Sequence, residues 1–143
     1  MTGAVSGEQG AGKTRTPHPH ERLDAWKEAI GLVKAIYVAA GTMSRDEKFG
    51  LISQLTRAAV SVPANIAEGA GRGSAGEMAR FYSIARGSLS ELDTLLVIAE
   101  EVRQLPPEAV ADLRGRVDRI NLMLNGLIRH QQERCREEAS EWV

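Results

Sequence analysis

The sequence predicts an all-α protein: an antiparallel up-and-down bundle of four helices that associates with copies of itself. Three observations carry this expectation. Apolar residues recur at steps of three and four along four successive stretches, and no stretch alternates as a strand would. Glycine and proline collect between those stretches, so the links are short and consecutive helices run antiparallel. The second stretch holds too few charges for a helix that faces water on every side its core stripe leaves free.

At 143 residues the chain has the size of one domain. Apolar residues make up 43% and aromatic residues only 4%, so the core must be built from Leu, Ile, Val and Ala, which suits helices better than sheets. The expected division is a flexible N-terminal tail over residues 1–22, a bundle over residues 23–136 and a short acidic tail over residues 137–143. The tail expectation rests on a run of Gly, Ser, Thr, His and Pro without an apolar period.

The first helix is announced by Leu23, Trp26, Ile30, Val33, Tyr37 and Ala40. A second stripe of Ala25, Ala29, Leu32, Ile36 and Ala39 runs beside it, so this helix should be covered on two sides. After a turn at residues 42–46, the second helix is expected over about residues 47–69. Its core stripe is Leu51, Leu55, Ala58, Val62 and Ile66. Pro63 lacks an amide hydrogen and its ring opposes the carbonyl of Ala59, which predicts a kink or a break and restart. Gly69, Gly71 and Gly73 should end the helix and allow the reversal.

Ser74 with Glu77 three residues on reads as the cap of a third helix, which carries a heptad of Phe81, Ala85, Ser88, Leu92, Leu95, Ala99 and Val102. Pro106 and Pro107 mark the next boundary. Val110, Leu113, Val117, Ile120, Leu124 and Leu127 then carry the fourth helix toward Cys135.

Net charge is −1, so no global field draws the chain to nucleic acid or to an anionic membrane. The single cysteine forms no internal disulfide, and no run reaches the length of a signal peptide or a membrane span, so a cytoplasmic protein is expected. Gly7, Gly12, Lys13 and Thr14 satisfy the phosphate-loop spacing, but neither the strand nor the helix that such a loop requires flanks them. Gly71, Gly73 and Gly76 have the dinucleotide-loop spacing, yet a helix precedes them instead of a strand. His18, His20 and His130 lack partners at ligating or catalytic spacing. No catalytic, cofactor or metal centre is legible, and a non-enzymatic role is expected.

The informative surface lies on the second helix. Gln54, Arg57, Ser61, Asn65, Glu68 and Arg72 fall within an arc of about 80° at helical spacing. Between Lys48 and Glu68, Arg57 is the only charge, and small residues fill the remaining face. Cover by another subunit explains that poverty. The stripe itself reads either as a polar network that fixes subunit register or as the lining of a small-ligand or anion site. On the fourth helix Arg114, Arg119, Arg129 and Arg136 point broadly away from the core stripe and are candidate nucleic-acid contacts, though Glu137, Glu138 and Glu141 follow at once.

The run from Gly50 through Arg57, Ser61, Pro63, Asn65 and Glu68 to Gly69, followed by Gly71 and Arg72, resembles the signature of the bacterial four-helix-bundle proteins encoded within 23S ribosomal RNA intervening sequences. Residues 23–29, 81–91 and 122–128 resemble the openings or cores of the other family helices, and the likeness covers about residues 23–130. The resemblance implies an up-and-down bundle in a ring-like homopentamer, without enzymatic activity. It also implies a kinship with accessory proteins of diversity-generating retroelements, which bind a reverse transcriptase and nucleic acid through a basic surface. Arg57, Ser61, Asn65, Glu68 and Arg72 match the signature. The near-neutral charge departs from that basic branch and weakens nonspecific attraction to phosphate. The expected partners are other copies of the chain and RNA or a nucleic-acid enzyme, with no membrane.

Overall fold

The computed structural model of the chain describes residues 18–47 and 49–142. Within them the protein is all-helical, with α1 at Asp24–Ala40, α2 at Leu51–Ala70, α3 at Ala75–Glu101 and α4 at Pro107–Glu141, and no strand among the described residues. The phosphate-loop-like string at residues 7–14 and most of the expected tail lie outside the described residues. Helices α1 and α3 each pack on both α2 and α4, and the backbones of the diagonal pairs do not approach closely among the described residues. Neighbours run antiparallel: Ser61 meets Ser88 while Gly69 lies by Tyr82, and Asp93 meets Arg114 while Arg86 meets Asn125.

Each helix buries one stripe. Leu32 and Ile36 of α1, Leu55, Val62 and Ile66 of α2, Leu89, Leu92 and Leu96 of α3, and Ile120 and Leu124 of α4 are all essentially inaccessible. At about 1.5–3 kcal/mol for each buried aliphatic side chain, this core is the main force holding the bundle together. The stripe that enters the core of α1 is Ala25, Ala29, Leu32 and Ile36. The more bulky stripe lies outside it: Trp26 and Val33 are partly buried, whereas Ile30 and Tyr37 are exposed. In α3 the core takes Tyr82, Ala85, Leu89, Leu92, Leu95, Leu96 and Ala99, so three of the seven heptad positions, Phe81, Ser88 and Val102, fall on its flank toward α2.

The ends have local causes. Ser74 Oγ accepts the Glu77 amide at 3.2 Å and caps α3. Ser74→Ala should therefore lower stability by about 1 kcal/mol, read as a lower urea midpoint at unchanged slope. Helix α3 closes with Arg103 at φ 60°, where the Gln104 and Leu105 amides turn back to the Ala99 carbonyl at 2.8 and 3.2 Å. The Gln104 side chain accepts the Ser44 amide at 2.9 Å and ties the two turns at that end of the bundle. Pro107 opens α4, where its missing amide would have had no partner.

Three boundaries differ from the sequence expectation. Helix α2 begins at Leu51, after a 3-10 turn at Arg45–Glu47, and runs through Pro63 without a break. The flexible tail expected over residues 1–22 ends in structure: Pro19–Arg22 form a 3-10 turn that contacts α1 and α2. The His18 amide donates to Glu21 Oε2 at 3.1 Å, and the His20 ring packs on Trp26 at 5.0 Å. The short acidic tail expected over residues 137–143 is helical as far as Glu141: α4 continues into it, because Glu and Ala favour helix and no breaker intervenes.

Candidate functional site

The polar stripe of α2 lies beside α3, and the structure divides it in two. Its middle is a hydrogen-bonded seam. Ser61 Oγ and Ser88 Oγ are 2.8 Å apart, and Asn65 Nδ2 donates to the Ser61 carbonyl at 2.8 Å and to Ser61 Oγ at 3.0 Å. These half-buried groups join α2 to α3 close to Pro63, where the helix has lost one backbone hydrogen bond. Toward the α2–α3 turn, Arg72 donates to Glu68 Oε2 at 2.9 Å and lies over the Phe81 ring at 4.6 Å. Arg80 also stacks on Phe81, at 5.0 Å, and pairs with Glu77 at 3.5 Å.

Gln54 and Arg57 are exposed at the other end. Gln54 borders an open groove with Leu51, Leu95, Ile98 and Val102. Arg57 makes no hydrogen bond or ion pair among the described residues. Arg57 and Glu68 are thus not a buried network within one chain: Glu68 is committed to Arg72, and both Arg57 and Glu68 are at the surface. The 68–72 pair was legible from its spacing of four residues, whereas Ser88 and Phe81 enter from α3 and carry no local signal on α2.

Around the stripe the surface is apolar. The outermost line of α2 consists of Ser53, Arg57, Val60 and Ala64. Val60 is 43% exposed, and on the neighbouring α3 Ile84 and Ile98 are 41% and 42% exposed, Ile98 bordering the groove with Leu51 and Gln54. On the α1 side, Tyr37, Met43, Phe49, Ile52 and Thr56 line an open groove. Apolar surface therefore continues from α1 across α2 to α3.

The four candidate arginines of α4 do not form one basic face. Arg114 reaches α3, with Nε and Nη2 on the two Asp93 carboxylate oxygens at 2.8 and 3.2 Å. That hydrogen bond, together with the charge of Asp93, raises the Arg114 guanidinium above the ordinary arginine value. Arg119 reaches the opposite neighbour, α1, and pairs with Glu28 at 2.9 Å. Arg129 and Arg136, two turns apart and exposed, have no ion pair among the described residues.

Among the described residues no group of His, Cys, Asp and Glu could hold a metal ion. Among the described residues no helix is long and apolar enough to cross a membrane. Cys135 is free and exposed.

These features define an all-helical four-helix bundle with a partly apolar outer face and a small polar seam. The chain belongs to the family of 23S rRNA-intervening sequence proteins, whose model matches residues 21–126. Among solved structures it is similar to a Bacteroides thetaiotaomicron protein of unknown function from the S23 ribosomal protein family. The TM-score is 0.68 at 19% identity, over 73% of this chain and 97% of that one. At that identity the likeness concerns the fold. No curated protein sequence matches the chain.

Proposed function

We propose that the chain is a cytoplasmic, non-enzymatic scaffold that assembles with copies of itself into a ring, five being the number the family resemblance implies. The ring holds a macromolecular partner, RNA or an enzyme that processes nucleic acid. The observation that carries this reading is the outer face of α2, where Arg57 is the one charge on a line with Ser53, Val60 and Ala64, flanked by exposed Ile84 and Ile98. A solvated helix face normally carries several charges, and apolar surface of this continuity marks contact with protein.

Light scattering of the purified protein at micromolar concentration should give a mass several times that of the 15.5 kDa chain. A folded species of one chain's mass would overturn the reading. For the partner, Arg129 and Arg136 are the α4 cations without a carboxylate partner among the described residues. If the partner is RNA, changing both to Ala should flatten the dependence of log affinity on log salt by about 1.4, at roughly 0.7 per phosphate contact on a single strand. Arg114→Ala and Arg119→Ala should change it much less, because Asp93 and Glu28 already engage those side chains. RNA affinity that ignores salt, or no RNA affinity, would leave a protein as the partner.

A further inference from the structure

Two charges interrupt the middle of this outer face, and neither is satisfied among the described residues. Arg57 on α2 and Glu91 on α3 are both exposed, and neither makes an ion pair or hydrogen bond among the described residues. The Ser61–Ser88 contact at 2.8 Å sets their level. Arg57 precedes Ser61 by four residues and Glu91 follows Ser88 by three, so on antiparallel helices both stand one turn from that contact, in the same direction. Few charges stand near them: Val60 lies one turn from Arg57 and Ala64 two turns, Gly87, Ser88, Thr94 and Leu95 are the residues one turn from Glu91, and Ile84 and Ile98 lie two turns to either side of it along one line of α3.

A contact that buries Val60 and Ile84 must also take Arg57 and Glu91 out of water. A buried charge without a partner is strongly unfavourable, so each needs an opposite charge. Glu68, the carboxylate nearest to Arg57 along α2, is held by Arg72 at 2.9 Å. Resting on the self-association proposed above, we infer that Arg57 of one copy pairs with Glu91 of the next, and that this pair sets the register of the interface. The occupant of the α2–α3 face is therefore a second copy of this chain, selected by charge complementarity. Each copy carries both halves at different places, so the contact repeats from copy to copy around a closed ring.

The test is a charge exchange, followed by sedimentation velocity over a range of concentrations. Arg57→Glu alone sets two carboxylates against each other, Glu91→Arg alone sets two guanidinium groups against each other, and each should raise the dissociation constant about 100-fold or more. The double exchange restores opposite charges and should return it to within about tenfold of the original. Both positions are exposed, so helicity by circular dichroism should match in all four proteins. If the original assembles but the double exchange is no better than the single ones, the pairing is wrong and self-association stands. Single exchanges that lower the melting temperature without altering mass would place the pair inside one chain and also overturn the inference. An original protein that sediments as one chain would remove both the pairing and the reading beneath it.

Discussion

Gly69→Ala should destabilise the chain, although the same exchange at an unobstructed helical glycine stabilises by up to about 1 kcal/mol. Gly69 sits inside α2, buried and with a negative φ, so backbone freedom is not what it supplies. It supplies room. A Cβ there would lie 2.9 Å from Tyr82 Cε1, 3.0 Å from Tyr82 Cδ1 and 3.1 Å from Phe81 Cβ. Neither neighbour can yield cheaply, since Tyr82 is buried in the core and the Phe81 ring is stacked with Arg72 and Arg80. Gly69→Val, which adds two more carbons at the same place, should cost about 2–4 kcal/mol. The melting temperature should fall by roughly 10 °C for a domain of this size. Gly115→Ala is the control: nothing lies within 4 Å of the new Cβ, so it should stabilise by about 0.5–1 kcal/mol. Urea denaturation of the three variants decides the matter by sign. If Gly69→Ala raises the midpoint as Gly115→Ala does, close approach is not the reason for a glycine at this position.

That close approach also shows which features could be read in advance. Signals that act over one helical turn were legible: the Ser74 cap with Glu77, the Pro106–Pro107 boundary, and the apolar period of all four helices. The stripe that becomes the core was not settled by periodicity, because burial in a core and burial at an interface leave the same pattern. In α1 the small stripe of Ala25 and Ala29 goes inside and the bulkier Ile30 and Tyr37 stay outside, the reverse of what side-chain size suggests. Small residues let α1 approach its two neighbours closely, which leaves the larger ones on the rim.

Long-range charge pairing was likewise invisible. Arg119 and Glu28 stand 91 residues apart, so no local spacing announces that one neutralises the other. The four arginines of α4 look like one group in sequence, whereas in the fold Arg114 reaches α3 and Arg119 reaches α1. Pro63 is a third case. Its local preference is to break a helix, yet Val62 and Ile66 on either side are fully buried, and their packing keeps α2 continuous.

The second large effect concerns assembly. Val60→Glu combined with Ala64→Glu should dissociate the proposed oligomer into folded single chains and raise the dissociation constant by about 1,000-fold or more, since two new carboxylates would be buried on a line whose one cation is Arg57. Within a single chain the same change is nearly neutral, within about 0.5 kcal/mol, because both positions are exposed and Glu is a good helix former. This contrast makes the experiment decisive. If the outer line of α2 faces water, the variant behaves as the original does in sedimentation and melts at much the same temperature. If neighbouring copies cover it, mass falls while helicity is retained, and melting becomes independent of protein concentration. Leu122→Glu is the matching control, a charge placed on an exposed apolar residue of α4 (73% exposed) far from the α2 face. It should leave the mass unchanged. A loss of assembly with Leu122→Glu but not with the α2 pair would move the interface to α4, with Leu122 as its marker.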